Sequence, residues 1–453
     1  MTEDTGLTPS GPEVKIRTKT RANSNGRVLE LERPSTGETI YVPLQAPNII
    51  QERCSRLGGA IADALGKCRG YDRMRPQDAG WLLDLVAAAG RVFLNGVLGN
   101  PRRDCYRLTD FLRQACALRS LADSSPPVIY VVVGEGSGDE EPDDDVRPIP
   151  EQDYFPWELL PLFDQLPKGR QASDQAGLQR VCEAFVGFCT IVERCYARGS
   201  PGKDYLNGWR RLPVRVIYNA GHEGARKEVG YFRAHDNVVL EGPYPRSVDD
   251  QAAPSLARQL GYPRLGIDGT MRSRGDEIVH ITVHCEAQQG QRSDEYSIHM
   301  ADECNRPMVV KLADLDDELY TCWVERASDG DIPNKMPMVF FNSCGTTVLD
   351  PTSATSLISP LYKNENSCIV ATAGNVSDRL AAAMSQRFYN ELFTGATVGQ
   401  ALHRAKWRIL QDWGHPMGLL YSIHMNASLG IRPVPEEEDD EDDSRAVLER
   451  SNR

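Results

Sequence analysis

The sequence predicts an α/β fold with a mostly parallel sheet and helices on both faces. From Pro213 onward, short apolar segments rich in β-branched and aromatic residues alternate with segments of helical period, a pattern typical of parallel strands joined by crossover helices. Two of the apolar segments, Ile278–His284 and Met338–Asn342, are typical of strands buried on both faces. The first ends at His284, and the second leads directly to Cys344.

The alternation from residue 213 to residue 432 predicts the following elements. The strands are Val214–Asn219, Val238–Glu241, Ile278–His284, Met338–Asn342, Ser367–Ala373 and Leu419–His424. The helices are Gly224–Arg233, Ala252–Leu260, Leu312–Glu325, Ser353–Tyr362, Asp378–Phe393 and Val398–Trp413. The polar stretch Glu286–Met300 predicts an inserted hairpin beside His284.

The first half of the chain is less regular. Residues 1–48 are predicted to form a polar arm, in which Asn25-Gly26 suggests a β-hairpin. Residues 49–212 are predicted to be helical and mixed, with a buried strand at Val128–Val133 and a helix from about Ala176 to Ala197. The C-terminal residues 433–453 are predicted to be an acidic, disordered tail.

Composition excludes several classes of function. The net charge of −13 over 453 residues argues against a nucleic-acid surface, which needs clustered Lys and Arg. The acidic runs Asp139–Asp145 and Glu436–Asp443 are interpreted as solvated segments. A start without a signal region and the lack of a long apolar run predict a cytoplasmic protein with no membrane contact. Twelve cysteines without paired CxxC spacing indicate neither a zinc ribbon nor a disulfide framework, and no cofactor is expected.

His284 and Cys344 are the candidate catalytic pair. The carboxyl ends of neighbouring strands meet at one edge of an open α/β sheet, and an imidazole there can take the proton of a thiol that attacks as thiolate. The alternative for Cys344 is an inert buried thiol, the usual fate of a strand cysteine. His280 and His284 lie on one side of a strand, which suggests either a metal pair or, for His280, a packed residue. No HExxH helix or third ligand supports the metal.

Several blocks, in this order and spacing, carry a family resemblance. They are Arg91–Asn95, Phe155–Leu160, Val279–His284, Phe341–Gly345, and a C-terminal block of Val370–Asp378, Phe388–Leu392, Gly395 and Gln400–Ala405. Together they resemble the CHAT domain, a clan of caspase-like, separase-related cysteine peptidases found mainly in bacteria. The resemblance extends over about residues 50 to 430.

The resemblance implies a caspase-like three-layer α/β/α sandwich. Residues 49–212 would be its N-terminal, pseudo-caspase part and residues 213–432 its catalytic part. In that family His284 would serve as the base and Cys344 as the nucleophile, with the backbone N–H groups of Cys285 and Cys344 holding the oxyanion. Relatives often have Gly where this chain has Cys285.

The resemblance also implies a substrate pocket. The block that contains Asn375 and Asp378 resembles the region of separase-like enzymes that supplies an acid to the pocket for the residue before the cut. Asp378 would then favour Arg or Lys, with Asp350 as a weaker second candidate. The alternative is structural, because Asp378 follows Ser377 at the start of a predicted helix, where acids are common.

The first functional hypothesis is a cysteine endopeptidase that cleaves a partner protein when triggered by an activating partner. The resemblance implies bacterial defence or programmed cell death, with a gasdermin-like or other toxin-like protein as substrate. The second hypothesis is a catalytically silent CHAT-like module for protein interaction. The third is a thiol hydrolase or transferase that acts on a small molecule in an enclosed pocket.

Overall fold

The computed structural model describes residues 12–20, 26–66, 72–117, 126–133, 155–162, 172–196, 205–208, 211–246, 252–260, 277–286, 296–329, 336–344, 358, 360–364, 366–374 and 376–432. Its strands are β1 Val14–Thr20, β2 Arg27–Arg33, β3 Glu38–Pro43, β4 Val128–Val133, β5 Ile191–Tyr196, β6 Tyr205–Asn207, β7 Leu212–Tyr218, β8 Val238–Tyr244, β9 Ile278–Glu286, β10 Ser297–Ala301, β11 Pro307–Lys311, β12 Met338–Cys344, β13 Cys368–Thr372, β14 Tyr421–Met425 and β15 Gly430–Arg432.

The helices are α1 Pro47–Gly66, α2 Pro76–Val97, α3 Pro101–Ala117, α4 Gln175–Cys182, α5 Val186–Cys189, α6 Glu223–Arg233, α7 Ala252–Gln259, α8 Leu312–Asp329, α9 Asp378–Phe393 and α10 Val398–Trp413. Short 3₁₀ turns occupy Trp157–Leu159 and Pro416–Leu420.

One large sheet organises the fold. Its hydrogen-bonded order is β11-β10-β9-β12-β13-β14-β5-β4-β1-β2-β3, and β7 lies beside both β9 and β8. Parallel pairs predominate, because β9 pairs in parallel with β7 and β12, and β4 with β1 and β5. Strands β6 and β15 form a separate parallel pair. The predicted α/β class with a mostly parallel sheet is confirmed.

Two adjacent residues of β12 define the layers on either side of the sheet. The ring of Phe340 lies 4.9 Å from Phe388 of α9, whereas Phe341 borders a small apolar cavity together with Leu256 of α7 and Leu315 of α8. Successive strand residues point to opposite faces. Helix α9 therefore covers one face and α7 and α8 cover the other, which gives the predicted three layers.

Helices α9 and α10 begin and end where the sequence predicts. The side chain of Ser377 caps α9 by accepting a hydrogen bond from the N–H of Leu380. Helix α10 starts with a capping box between Thr397 and Gln400 and ends at Gly414. Gly414 has φ 65°, a left-handed conformation that favours glycine at a helix end.

The N-terminal half differs from its prediction in two places. The β-hairpin suggested by Asn25-Gly26 agrees with the antiparallel pair of β1 and β2. The expected arm differs in that β1, β2 and β3 belong to the main sheet, where β1 lies parallel to β4. The helix expected to reach Ala197 stops earlier, and Ile191–Tyr196 is strand β5 between β4 and β14. Hydrogen bonding to β4 on one side and β14 on the other stabilises a strand here, although the local sequence pattern favours a helix. The acidic tail and the run at 139–145 lie outside the described residues.

Helix α2 is an exception to the expectation that no segment resembles a membrane span. Pro76–Val97 is long and apolar enough to cross a membrane by length and composition alone, with a mean hydropathy of 1.2. Half of the apolar part of this helix is buried within the protein, where the helix contacts α1, α3 and α4. Buried core helices commonly have such a composition, so the finding is weak evidence for a membrane span.

The Phe155–Leu160 block is held by a buried ion pair. Arg194 of β5 donates from Nη1 and Nη2 to the two carboxylate oxygens of Glu158, each at 2.6 Å, and from Nη2 to the carbonyl of Phe155 at 3.1 Å. Both charged side chains are at most 5% exposed. This bidentate geometry links the block to the centre of the sheet.

We expect Glu158→Gln to lower the free energy of unfolding by about 3 kcal/mol or more, because it leaves the charge of Arg194 buried without its partner. Asp78→Asn is the control, since the Arg75–Asp78 pair is exposed and is worth at most about 1 kcal/mol. Urea unfolding of both variants provides the measurement. Equal losses in the two variants would show that the buried pair adds no particular stability.

Candidate active site

The parallel pairing of β9 with β12 brings the two predicted catalytic residues together. Their register runs from Met338 opposite Ile278 to Cys344 opposite His284. Directly paired strand residues are separated by about 4.8 Å, so the backbones of His284 and Cys344 are immediate neighbours. The side chain of Cys344 lies outside the described part of the structure.

Strands β7 and β10 complete the edge of the sheet on the other side of β9. Tyr218 of β7 pairs with Thr282, and His299 of β10 pairs with His284. Asn219, just after β7, donates from its side chain to the carbonyl of His299 at 3.1 Å. The predicted hairpin beside His284 is therefore present, formed by β9 and β10, and it lies against the end of β7.

The imidazole of His284 is half-buried between two other histidine rings. The ring centroid of His222 is 6.2 Å away in a nearly parallel orientation, and that of His299 is 5.6 Å away at a steep angle. Burial lowers the pKa of His299, although the nearby carboxylate of Glu286 partly offsets the effect. His299 is therefore uncharged at neutral pH, and Nε2 of its ring lies 2.9 Å from the hydroxyl of Ser297.

His222 is hydrogen-bonded to Asp378, the first residue of α9. Nδ1 of His222 lies 2.9 Å from Oδ2 of Asp378, and both side chains are about one-third exposed. The hydrogen bond from His222 to this carboxylate raises the pKa of the imidazole, although burial opposes the shift. Helices α6 and α9 touch at Gly224, where a Cβ would lie 2.3 Å from the carbonyl oxygen of Asp378.

The other predicted site residues have different outcomes. Asp378 is the first residue of α9, after the cap Ser377, as the structural alternative predicts. Its carboxylate is also hydrogen-bonded to His222, whose ring lies beside that of His284 at the edge of the sheet. Cys285 lies within β9 opposite Ile298, and burial raises the pKa of its thiol far above the ordinary value. The oxyanion role of its backbone N–H stays a prediction. Asn375 and Asp350 lie outside the described residues.

A buried polar network lies beneath the edge of the sheet. Glu228 of α6 accepts hydrogen bonds through Oε1 from Asn342 at 2.7 Å and from Ser385 at 2.5 Å. Its Oε1 also lies 3.4 Å from Nε2 of His280. Tyr421 donates to Asn342 at 2.9 Å. All of these side chains are at most 3% exposed, so the network joins two helices to three strands.

The network keeps the Glu228 carboxylate ionised. Burial alone would raise its pKa, but the neighbouring His280 and the hydrogen bonds from Ser385 and Thr282 together lower it. His280 is also 3.1 Å from the hydroxyl of Tyr389 through Nδ1. The two alternatives for His280 were a metal ligand and a packed residue, and its burial and its contact with Tyr389 agree with a packed residue. Within the described residues, no group of three metal-ligating side chains is present.

Sequence reasoning missed His222, His299 and Glu228. For His222 a signal existed, because it closely follows the carboxyl end of a predicted strand, and the carboxyl end of a strand is what identified His284. His299 was included only in a polar stretch. Glu228 had no signal, since a carboxylate on a surface-like helix pattern is ordinarily solvated.

A comparison with protein families decides the assignment of this region. Residues 254–426 match the family model of the CHAT domain. Over these residues, which are fewer than half of the chain, the sequence is similar to the CHAT domain. The predicted resemblance is thus confirmed over the matched segment, which includes His284, Cys344 and Asp378, whereas His222 and Glu228 precede it.

A curated protein similar to part of the chain is a probable protease from Vitiosangium sp. (strain GDMCC 1.1324). It is 31% identical over 101 residues, which correspond to 22% of this chain and 13% of that protein. The similarity is local, and the matched part is a small fraction of the relative.

The solved structures similar to the chain include two crystal structures of the Saccharomyces cerevisiae separase–securin complex. Both have a TM-score of 0.41, with 9% and 8% sequence identity. The likeness covers 93% and 92% of this chain and 30% of each matched chain. A score of this size marks a distant likeness only.

We expect Glu228→Ala to lower the free energy of unfolding by about 3 kcal/mol or more, because Asn342, Ser385 and His280 lose their buried acceptor. Glu223→Ala on the same helix is the control, since its exposed pair with Lys227 predicts a change within about 0.5 kcal/mol. Denaturant unfolding distinguishes the two. Similar midpoints would contradict a stabilising role for the network.

Proposed function

We propose that the chain is a cysteine endopeptidase in which Cys344 is the nucleophile and His284 the general base. The observation that carries the proposal is the register of β9 and β12, which sets these two residues opposite each other at the carboxyl ends of adjacent parallel strands. Ligands of open α/β sheets bind at this edge. The CHAT-domain match and the local similarity to a probable protease support a peptidase.

The proposed reaction begins when His284 accepts the thiol proton of Cys344. The thiolate sulfur bonds to the carbonyl carbon of the peptide, and the carbonyl electron pair moves to oxygen. Backbone N–H groups of Cys285 and Cys344 are proposed to stabilise this oxyanion. As the C–N bond breaks, His284 returns its proton to the leaving amine, which leaves an acyl-enzyme. Water then attacks the thioester while His284 accepts its proton, and the thiol leaves reprotonated.

Asp378 is proposed to select the residue before the cleaved bond. Its carboxylate lies at the same sheet edge as His284, because His222 contacts both residues. The carboxylate is one-third exposed, so a guanidinium or ammonium group can approach it. A basic residue, Arg or Lys, is the side chain that such a carboxylate pairs with best. Asn375 and Asp350 complete the proposed pocket on the basis of the family resemblance alone.

The substrate and setting are proposed from the family resemblance alone. The chain would cleave a gasdermin-like or other toxin-like protein in bacterial defence or programmed cell death. It would act in the cytoplasm and respond to an activating partner. The silent-module alternative would use the same edge for binding without cleavage, and thiol reactivity separates the two.

We expect Cys344 to react with iodoacetamide at pH 7 at least about tenfold faster than the exposed Cys304, because a neighbouring imidazole raises the thiolate fraction of a cysteine. His284→Ala should remove this excess reactivity, and Cys344→Ala should remove the labelled peptide. Mass spectrometry of each cysteine peptide provides the rates.

His299→Gln is the matched control for His284→Ala. The ring of His299 is 5.6 Å from that of His284, yet His299 has no proposed part in proton transfer, so fast labelling should persist. If Cys344 and Cys304 react equally fast, with and without His284, the endopeptidase proposal fails and the silent module is favoured.

We expect Asp378→Asn to reduce kcat/KM for peptides with Arg before the cut by about tenfold or more relative to peptides with Leu there, because a charged hydrogen-bond acceptor is lost. Asp412→Asn removes a carboxylate that pairs with Arg387 on the surface and should leave the preference unchanged. A peptide library assayed with both variants provides the test. An unaltered preference in Asp378→Asn would exclude the pocket role.

A further inference from the structure

The imidazole of His222 faces the proposed base from a second element of the sheet edge. Its ring is nearly parallel to that of His284, with 6.2 Å between centroids. The contact depends on β7, whose parallel pairing with β9 brings the following turn and the start of α6 to the same edge. His222 precedes the segment that matches the CHAT domain model, and the reaction described above does not use it.

Asp378 fixes the position and the charge of His222. The hydrogen bond between Nδ1 of His222 and Oδ2 of Asp378 is 2.9 Å long. The backbone contact at Gly224 holds the first turns of α6 and α9 together, which keeps the backbones that carry the two side chains close to each other. When His222 is protonated the pair is neutral, and when it is not the pair carries one negative charge.

The other charged and titratable groups described around the pair lie on α6, α9, β9 and β10. On α6, Glu223 pairs with Lys227 at 2.6 Å, and Arg226 hydrogen-bonds to the carbonyl of Ala220. On α9, Arg379 pairs with Asp72 at 2.6 Å. On β9 and β10 the facing groups are His284, His299 and Glu286, and the uncharged His299 lies 3.3 Å from Glu286. The charge of Arg226 opposes the protonation of His222, whereas Asp378 favours it more strongly.

We propose that His222 is a further residue of the active centre, whose positive charge compensates Asp378 and thereby sets the pH at which the His284–Cys344 pair becomes reactive. The inference rests on the proposed roles of His284 and Cys344. An uncompensated carboxylate nearby makes loss of a proton from that pair less favourable, whichever of the two residues releases it. Protonated His222 cancels this effect. Its role is therefore electrostatic and acts through the His284–Cys344 pair, and His222 does not contact the substrate carbonyl.

The test uses the alkylation rate of Cys344 by iodoacetamide from pH 5 to pH 9, measured on the Cys344 peptide by mass spectrometry. The reagent is small and uncharged, so it reports proton loss from the site without using a substrate pocket. The variants are His222→Gln, Asp378→Asn and the double variant. Glutamine keeps an N–H that can donate to Asp378, and asparagine keeps an acceptor oxygen for His222. Glu223→Gln, which removes the neighbouring exposed charge, is the control.

Charge compensation predicts a different result for each variant. His222→Gln removes the positive charge beside Asp378 and should move the acid limb of the rate profile to higher pH. Asp378→Asn removes the carboxylate that raises the pKa of His222, so the imidazole loses its charge together with the carboxylate and the limb should stay close to its original place. The double variant is also neutral and should behave like Asp378→Asn. Removal of a unit charge at the ring of His222, 6.2 Å from that of His284, shifts a pKa by roughly half a unit in water and by roughly two units at a dielectric of about 20.

We therefore expect His222→Gln to raise the limb by about half a pH unit or more, less at high salt because the pair is partly exposed, and Asp378→Asn to leave it nearly in place. If His222→Gln does not move the limb while His284→Ala still removes the fast labelling, the inference is overturned and the endopeptidase proposal stands. Shifts of the same sign in both single variants would also overturn it, because they indicate a general structural disturbance. If His284→Ala labels as fast as the wild type, the endopeptidase proposal itself fails.

Discussion

The register between β9 and β12 is the constraint on which the site depends. Strand residues alternate between faces, so a slip of one residue would place His284 opposite Ser343 and turn the paired side chains to different faces. The network around Glu228 opposes such a slip. Asn342 and Thr282 are register partners two pairs below Cys344 and His284, and the buried carboxylate of Glu228 accepts a hydrogen bond from Asn342. A one-residue shift would remove this donor from the buried carboxylate, which is costly in a buried site.

The sheet that carries the site extends through the whole described chain. Strand β14 pairs antiparallel with β13 and parallel with β5, so the N-terminal strands continue the sheet that holds β9 and β12. Arg194 on β5 secures this junction through its buried pair with Glu158. The Phe155–Leu160 block is therefore structural, and its distance from His284 along the sheet order explains why its acid takes no part in the proposed reaction.

Much of this arrangement was predictable because it depends on local pattern. Helices α9 and α10 have strong caps and a regular apolar period, and their limits agree with the prediction. Strand β5 was misread because six residues with Ile191 and Val192 at one end fit either a helix or a strand, and only the neighbours β4 and β14 decide between them. His222 and Glu228 act through residues more than a hundred positions away, Asp378 and Asn342. A local sequence pattern contains no information about contacts between residues so far apart in the chain.

Position in the fold separates Cys344 from other cysteines of the chain. Burial raises the pKa of the thiols of Cys182, Cys195, Cys285 and Cys368, so these thiols stay protonated and unreactive at neutral pH. Cys285 is instructive, because it adjoins His284 in sequence and yet is 2% exposed, with its side chain on the opposite face of β9. Proximity along the chain therefore does not place a thiol beside an imidazole. The pairing of parallel strands sets the backbone of Cys344 opposite that of His284. The proposed chemistry therefore depends on a two-strand motif with a long crossover and not on a compact sequence motif.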